Sequence, residues 1–145
     1  MKSKHPERTY RDYLRRVPLF AGLTDDQLDQ VARWTTDIDL DAGKVLVTEG
    51  ARSAEMMIIV DGSAEVTRGG EHIADVGPGA VVGEMGVLAN THRNSTVTAT
   101  SHMSLIHISA TDFASVLEAA PQIAATLLPV VAQRLAETHH DDVHH

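Results

Sequence analysis

The stretch that decides the fold is Met56-Met57-Ile58-Ile59-Val60-Asp61-Gly62-Ser63-Ala64-Glu65-Val66-Thr67-Arg68-Gly69-Gly70-Glu71-His72-Ile73-Ala74-Asp75-Val76-Gly77-Pro78-Gly79. Three short runs rich in strand formers, Met56–Val60, Ala64–Arg68 and Ile73–Val76, are each closed by a turn signal: Asp61-Gly62, Gly69-Gly70 and Gly77-Pro78-Gly79. Glycine reaches positive φ without a Cβ clash and proline presets a turn, so this punctuation predicts hairpins rather than helix. The same rhythm continues outward. Thr36–Leu40 and Lys44–Thr48 flank Ala42-Gly43 and precede Gly50, while Thr96–Thr100 and Met103–Ile108 follow downstream. Regular short strands of this kind predict a mainly β sandwich, barrel or roll over 36–108.

Helical spacing flanks the strands. Tyr10, Tyr13, Leu14 and Val17 recur at helical intervals, and after a break at Phe20-Ala21-Gly22 a second helix starts at Thr24. Thr24 and Gln27 form a capping-box pattern, Leu23 and Leu28 are placed as its hydrophobic staple, and Leu28, Val31 and Trp34 line one face. Beyond the strands, Ser109 with Asp112 resembles a second capping box, and a longer helix begins near Pro121 with Ile123, Leu127, Val130 and Val131 on its apolar face. Ala124, Ala125, Leu128 and Leu135 widen that stripe. Full burial on the chain's own core and partial packing in a homodimer both remain open. The expected organisation is one domain over 1–145, with N-terminal helices in 1–35, strands in 36–108, C-terminal helices in 109–138 and a His/Asp tail in 139–145.

A chain of 145 residues, 43% hydrophobic and 22% charged, has room for one core, and with two Phe, two Tyr and one Trp that core is aliphatic. No run approaches a membrane span, and the N-terminus lacks a signal-peptide core, so a cytoplasmic protein with no membrane partner is expected. The absence of cysteine fits a reducing compartment and removes disulfides, thiolate nucleophiles and Cys-ligated metals. Twelve basic against twenty acidic residues give a net charge of −8, the wrong sign for a nucleic-acid partner. A small anion then needs a deliberate local positive site. The residues after Leu135 are too few for a helix-turn-helix, a catalytic domain or a channel.

Gly83-Glu84-Met85-Gly86-Val87-Leu88 follows the apolar run Ala80-Val81-Val82, and Arg93-Asn94-Ser95-Thr96-Val97 opens the next strand. A strand, a short turn of helix, a loop and a strand aim backbone N–H groups outward, where they favour an anion. Gly83 and Gly86 carry no Cβ to hold a ligand away from the backbone, and Gly86 inside so short a helix costs ~1 kcal/mol relative to Ala. The guanidinium of Arg93 matches two phosphate oxygens, and the Glu84 carboxylate suits a hydroxyl such as a ribose 2′-OH. An internal Glu84–Arg93 ion pair closing the loop explains the same two residues without a ligand. Spacing alone leaves both open.

These two blocks together closely resemble the phosphate-binding cassette of the cyclic-nucleotide-binding domain family, as found in prokaryotic cyclic-nucleotide-gated channels and related bacterial regulators. The resemblance extends to Val17-Pro18-Leu19-Phe20-Ala21-Gly22-Leu23, to Ala42-Gly43 through Glu49-Gly50, and to Asp61-Gly62-Ser63-Ala64-Glu65-Val66. It also takes in Val76-Gly77-Pro78-Gly79 and Asp112-Phe113. It implies an antiparallel, jelly-roll-like β-roll with N-terminal helices, a short cassette helix and two C-terminal helices. By the resemblance, Glu84 holds the ribose 2′-OH, Arg93 the exocyclic phosphate oxygens, and the amides of Met85, Gly86 and Ser95 complete the cradle. Val66, Ala74 and Val82 match the residues that flank the base, and Arg134 the arginine that folds over it. Asn94 departs from the small or hydroxyl residue usual after the cassette arginine, and His92 replaces a common proline. A Thr after the cassette arginine resembles guanine-preferring members, and Asn94 is neither small nor a hydroxyl, so this position leaves the choice of nucleotide open; the expected ligand is cAMP ahead of cGMP.

The implied role is a regulatory sensor that relays occupancy through the C-terminal helix to an effector protein, without cofactor or catalysis. Its rivals are a dimerising scaffold that kept the β-roll and lost the ligand, and a cupin-like metalloenzyme, for which converging histidines are lacking. His139, His140, His144 and His145, with Asp141 and Asp142, form a solvated tail able to capture Zn²⁺ or Ni²⁺ adventitiously. His102 and His107 fall on opposite sides of a regular strand, His72 stands beside a hairpin turn, and Met56 and Met57 read as core filler. No metal site and no nucleophile arrangement are expected.

Overall fold

The computed structural model describes residues 7–51, 55–83, 94–129, 132–133 and 136. In chain order its elements are helix α1 (Glu7–Arg15), a 3-10 turn (Pro18–Phe20), helix α2 (Asp25–Ala32), and strands β1 (Thr36–Leu40), β2 (Val45–Val47), β3 (Glu55–Asp61), β4 (Ala64–Arg68), β5 (Glu71–Val76), β6 (Val81–Val82), β7 (Thr96–Ala99) and β8 (Met103–Ser109). Helix α3 (Ala110–Ala119) follows, and residues 122–129 form a further helix. The strands build two antiparallel four-stranded sheets, ordered β1-β8-β3-β6 and β2-β7-β4-β5. This is the expected β-roll with flanking helices. The cassette helix and the 139–145 tail lie outside the described residues.

The uninterrupted apolar run in β3 explains the layering. Successive strand side chains point to opposite faces, so Met56, Ile58 and Val60 face the helices while Met57 and Ile59 face the second sheet. Strand β8 divides likewise: Ile106 and Ile108 on the helical side, Met103 and Leu105 on the other. The first sheet is therefore buried on both faces, between two cores. Tyr10, Tyr13, Leu14, Phe20, Leu28, Phe113 and Ile123 complete the helical core; Val47, Ala64, Val82, Val97 and Ala99 complete the core between the sheets.

The N-terminal helices dock through named contacts. Thr24 and Gln27 form the full capping box, and Leu23 and Leu28 are both buried beside it. Tyr10 Oη and Thr35 Oγ1 share a 2.6 Å hydrogen bond, and burial, ahead of the Asp37 carboxylate, pushes the Tyr13 phenol above its usual pKa. Arg11 grips Asp29 with two bonds of 2.8 and 2.7 Å, which hold the Asp29 carboxyl below its ordinary pKa. Trp34 corrects the expected helix face. Helix α2 stops at Ala32, and the bonds from Arg33 N to Gln30 O and from Trp34 N to Val31 O tighten its last turn into 3-10 form, rotating Trp34 outward to 38% exposure.

At the C-terminal end Ser109 caps α3 by accepting from Asp112 N at 3.2 Å. In the next helix Ile123 and Leu127 are buried, whereas Ala125 and Leu128 face solvent, so the widened apolar stripe is only partly covered. Val130, Val131 and Leu135 lie outside the described residues. Among the described residues no helix is long and apolar enough to cross a membrane.

Candidate functional site

Strand β6 delivers the chain to the candidate site. It pairs with β3 through Met57↔Val82 and Ile58↔Val81, and Gly83 ends it with φ of +86°. That left-handed geometry disfavours any residue with a Cβ, so the glycine is demanded by the backbone itself, beyond the close ligand approach expected from sequence. The far end of the segment is Asn94 and Ser95. Ser95 Oγ donates to Asn94 Oδ1 at 3.2 Å, and β7 begins with the next residue.

Two residues that sequence reasoning missed secure this far end. Arg68 Nε donates to the Asn94 carbonyl at 3.0 Å, and Glu49 binds on two sides, its N–H donating to Thr96 Oγ1 at 2.9 Å and its Oε1 accepting from Gly69 N at 3.0 Å. The loop after β2, the β4–β5 turn and the start of β7 are thereby held as one polar cluster. Its signal is the register Thr67↔Thr96, which sets Arg68 beside Asn94 once β4 and β7 are known to pair.

The expected base-flanking residues do converge. Val66 pairs with Ala74 on one side and Val97 on the other, and Val97 pairs with Val47, giving a row across the second sheet. Val47 and Val97 are buried while Val66 and Ala74 are half-buried, so the row opens toward the β5 edge. Val82, buried on the first sheet, belongs to the inter-sheet cluster against which Val66 packs. Glu84, Met85, Gly86, His92, Arg93 and Arg134 lie outside the described residues.

The histidines are dispersed. His72 meets Asp75 at 3.0 Å, His102 meets Asp41 at 3.3 Å and His107 meets Glu55 at 3.3 Å. The hydrogen bond to Asp75 raises the His72 pKa. Among the described residues no group of three or more His, Asp or Glu converges as a metal site. Met56 and Met57 are core residues on opposite faces of β3.

Comparison with known proteins matches residues 38–120 to the cyclic nucleotide-binding domain family model. A cyclic nucleotide-gated potassium channel of Rhizobium etli is 30% identical over 118 residues, covering 81% of this chain and 33% of the channel. The chain thus spans about a third of that relative's length. Among solved structures, the Thermus thermophilus catabolite activator protein superposes with a TM-score of 0.74 at 25% identity, covering 86% of this chain and 61% of that one. The regulatory subunit of a cAMP-independent protein kinase A from Trypanosoma brucei shares the fold, with a TM-score of 0.79 at 23% identity over 94% of this chain and 51% of that one. Because the match runs from β1 through α3, across both sheets and the whole Gly83–Ser95 segment, this chain belongs to the cyclic nucleotide-binding domain family, a family of regulatory rather than catalytic modules.

Proposed function

We propose that the chain binds a cyclic nucleotide, cAMP in preference to cGMP, and relays occupancy through its C-terminal helix. The observation that carries the reading is the family match over residues 38–120, a span that contains Gly83–Ser95; the ribose role of Glu84 and the phosphate role of Arg93 are assigned from the likeness of that segment to the family's cassette. Arg93 adds positive charge within the segment that a chain of net charge −8 does not supply overall, and its fork takes two phosphate oxygens. The amides of Met85, Gly86 and Ser95 complete the cradle, Glu84 accepts from the 2′-OH, and the row Ala74–Val66 with Val82 receives the base. Position 94 lacks the threonine that resembles guanine-preferring members, which supports adenine as the base.

The relay requires differential affinity. A ligand shifts a helix only by binding one of its positions more tightly than the other, and Arg134, folding over the base, is the contact that distinguishes them. The module is read as one domain over 1–145 in the cytoplasm, acting on an effector protein, with the exposed Ala125 and Leu128 available to a second copy.

Calorimetric titration of cAMP and cGMP into nucleotide-free protein tests the proposal, with Arg93→Ala as control. Two charge-assisted hydrogen bonds at ~1.5–3 kcal/mol each predict at least a hundredfold loss of affinity in the variant. Near-native affinity in Arg93→Ala removes the assigned role, and absence of heat with either nucleotide favours the scaffold in which Glu84 pairs with Arg93.

A further inference from the structure

Sequence reads Gln27 as a helix cap, and its side chain does more than cap. Its Oε1 accepts from Thr24 N at 3.0 Å, the capping contact, and also from Gln122 Nε2 at 2.7 Å. Its Nε2 donates to Gln122 Oε1 at 3.1 Å and, at a long 3.4 Å, to the carbonyl of Ala119 at the end of α3. A primary amide has two acceptor lone pairs and two donor hydrogens, so all four capacities are used. The backbone donor at Thr24 and the backbone acceptor at Ala119 fix which way the amide faces, independently of Gln122. The Gln122 amide then has one complementary orientation, nitrogen to oxygen and oxygen to nitrogen.

Gln122 is the first residue of the 122–129 helix. Just beyond it, Ile123 and Leu127 are buried in the cluster that contains Leu28 and Val31 of α2. Helix α2 is in turn tied to α1 by the two Arg11–Asp29 bonds, by an Arg15–Asp25 ion pair, and by Arg15 Nη1 donating to the Leu23 carbonyl at 3.1 Å. A directional contact at the helix start and an apolar contact along its face act on the same segment.

We infer that Gln27 and Gln122 pin the start of the C-terminal helix to α2, so that α1, α2 and that helix as far as the buried Leu127 form one rigid body and any nucleotide-driven displacement falls C-terminal to it. Gln27 is a positioning residue in this scheme. The pin stands on the contacts between α2 and Gln122; its consequence for signalling rests on the nucleotide binding proposed above.

The chain has no cysteine, so paired substitutions accept spin labels without background. Gln30→Cys with Thr126→Cys, both exposed, reports the distance between α2 and the pinned helix; Gln30→Cys with Gln133→Cys reports the distal part. Without ligand, pulsed electron spin resonance is expected to give a single narrow distribution for the 30/126 pair, and a broad one overturns the rigid body. Gln122→Ala leaves the capping box intact and should broaden it, and Gln122→Glu, which keeps an acceptor for Gln27 Nε2 but sets a second acceptor against Gln27 Oε1, should broaden it as well. A distribution that stays narrow in Gln122→Ala removes the amide pair as the cause. With saturating cAMP the 30/126 distance stays fixed while the 30/133 distance moves by ~5 Å, about one helical turn. Calorimetry on the same labelled proteins separates the two ideas: heat with a shifting 30/126 distance refutes the pin, and no heat refutes the binding proposal while the ligand-free distributions still decide the pin.

Discussion

Gly62→Ala is expected to destabilise the protein by several kilocalories. Gly62 has φ of +95°, and a Cβ built there lies 2.5 Å from the His102 carbonyl oxygen and 2.8 Å from both Cα and Cβ of Met103. None of these is the free end of a flexible side chain. Met103 is fully buried, opens β8, and pairs with Leu40 of β1, so making room displaces the strand that holds the first sheet together. Forcing Ala into the left-handed region costs ~1–2 kcal/mol. Overpacking against a rigid neighbour adds ~1–3 kcal/mol, for a total of ~2–5 kcal/mol against a typical domain stability of ~5–15 kcal/mol. Gly69→Ala is the control, since Gly69 also has positive φ, +60°, but nothing lies within 4 Å of its Cβ. It should lose only the conformational part. Urea unfolding followed by far-ultraviolet circular dichroism reads both, with an unchanged slope confirming that the compactness of the unfolded state has not moved. Equal stability of Gly62→Ala and Gly69→Ala would refute the claim that contact with β8 makes Gly62 irreplaceable.

Gly83→Ala, at φ of +86°, should strain the start of the cassette by ~1–2 kcal/mol and weaken nucleotide binding by up to about thirtyfold in calorimetry well below the melting temperature; unaltered affinity counts against a site built on that turn. Ile123→Ala removes a fully buried side chain and should cost ~2–5 kcal/mol in urea unfolding, while Leu128→Ala, 61% exposed, should stay within ~0.5 kcal/mol of the parent. The His72–Asp75 hydrogen bond raises the His72 pKa above its ordinary 6.5, so its contribution to stability is fully present below 6.5 and lost as pH rises through the higher folded value. The melting temperature of Asp75→Asn should therefore lack the part of the decline above that pH which the parent shows.

The strands were legible because glycines mark their ends. All seven strand runs foreseen from turn spacing occur, with limits shifted by a residue or two, as where β5 begins at Glu71 rather than Ile73. The eighth, β6, is the Val81–Val82 run ahead of Gly83. The helix caps were legible too, being local. Trp34 was not, since its direction depends on a last turn of hydrogen bonds that periodicity does not encode. Contacts between distant segments were the least visible. Arg68 on Asn94 needs the β4–β7 register, and Gln27 on Gln122 joins residues 95 apart, where nothing in either local pattern announces the other.

The doubly buried first sheet bears on how a site in the roll reaches the helices. Met57 pairs with Val82 and faces the inter-sheet core, while its neighbours Met56 and Ile58 lie in the core that holds Ile123 and Leu127 of the C-terminal helix. One strand therefore presents alternate side chains to the inter-sheet core and to the helical layer. Close-packed interiors transmit displacement because little empty space absorbs it. A nucleotide that shifts β6 against β3 must be accommodated either by the inter-sheet core or by the helices, and the helical side ends at the exposed Ala125–Leu128 face.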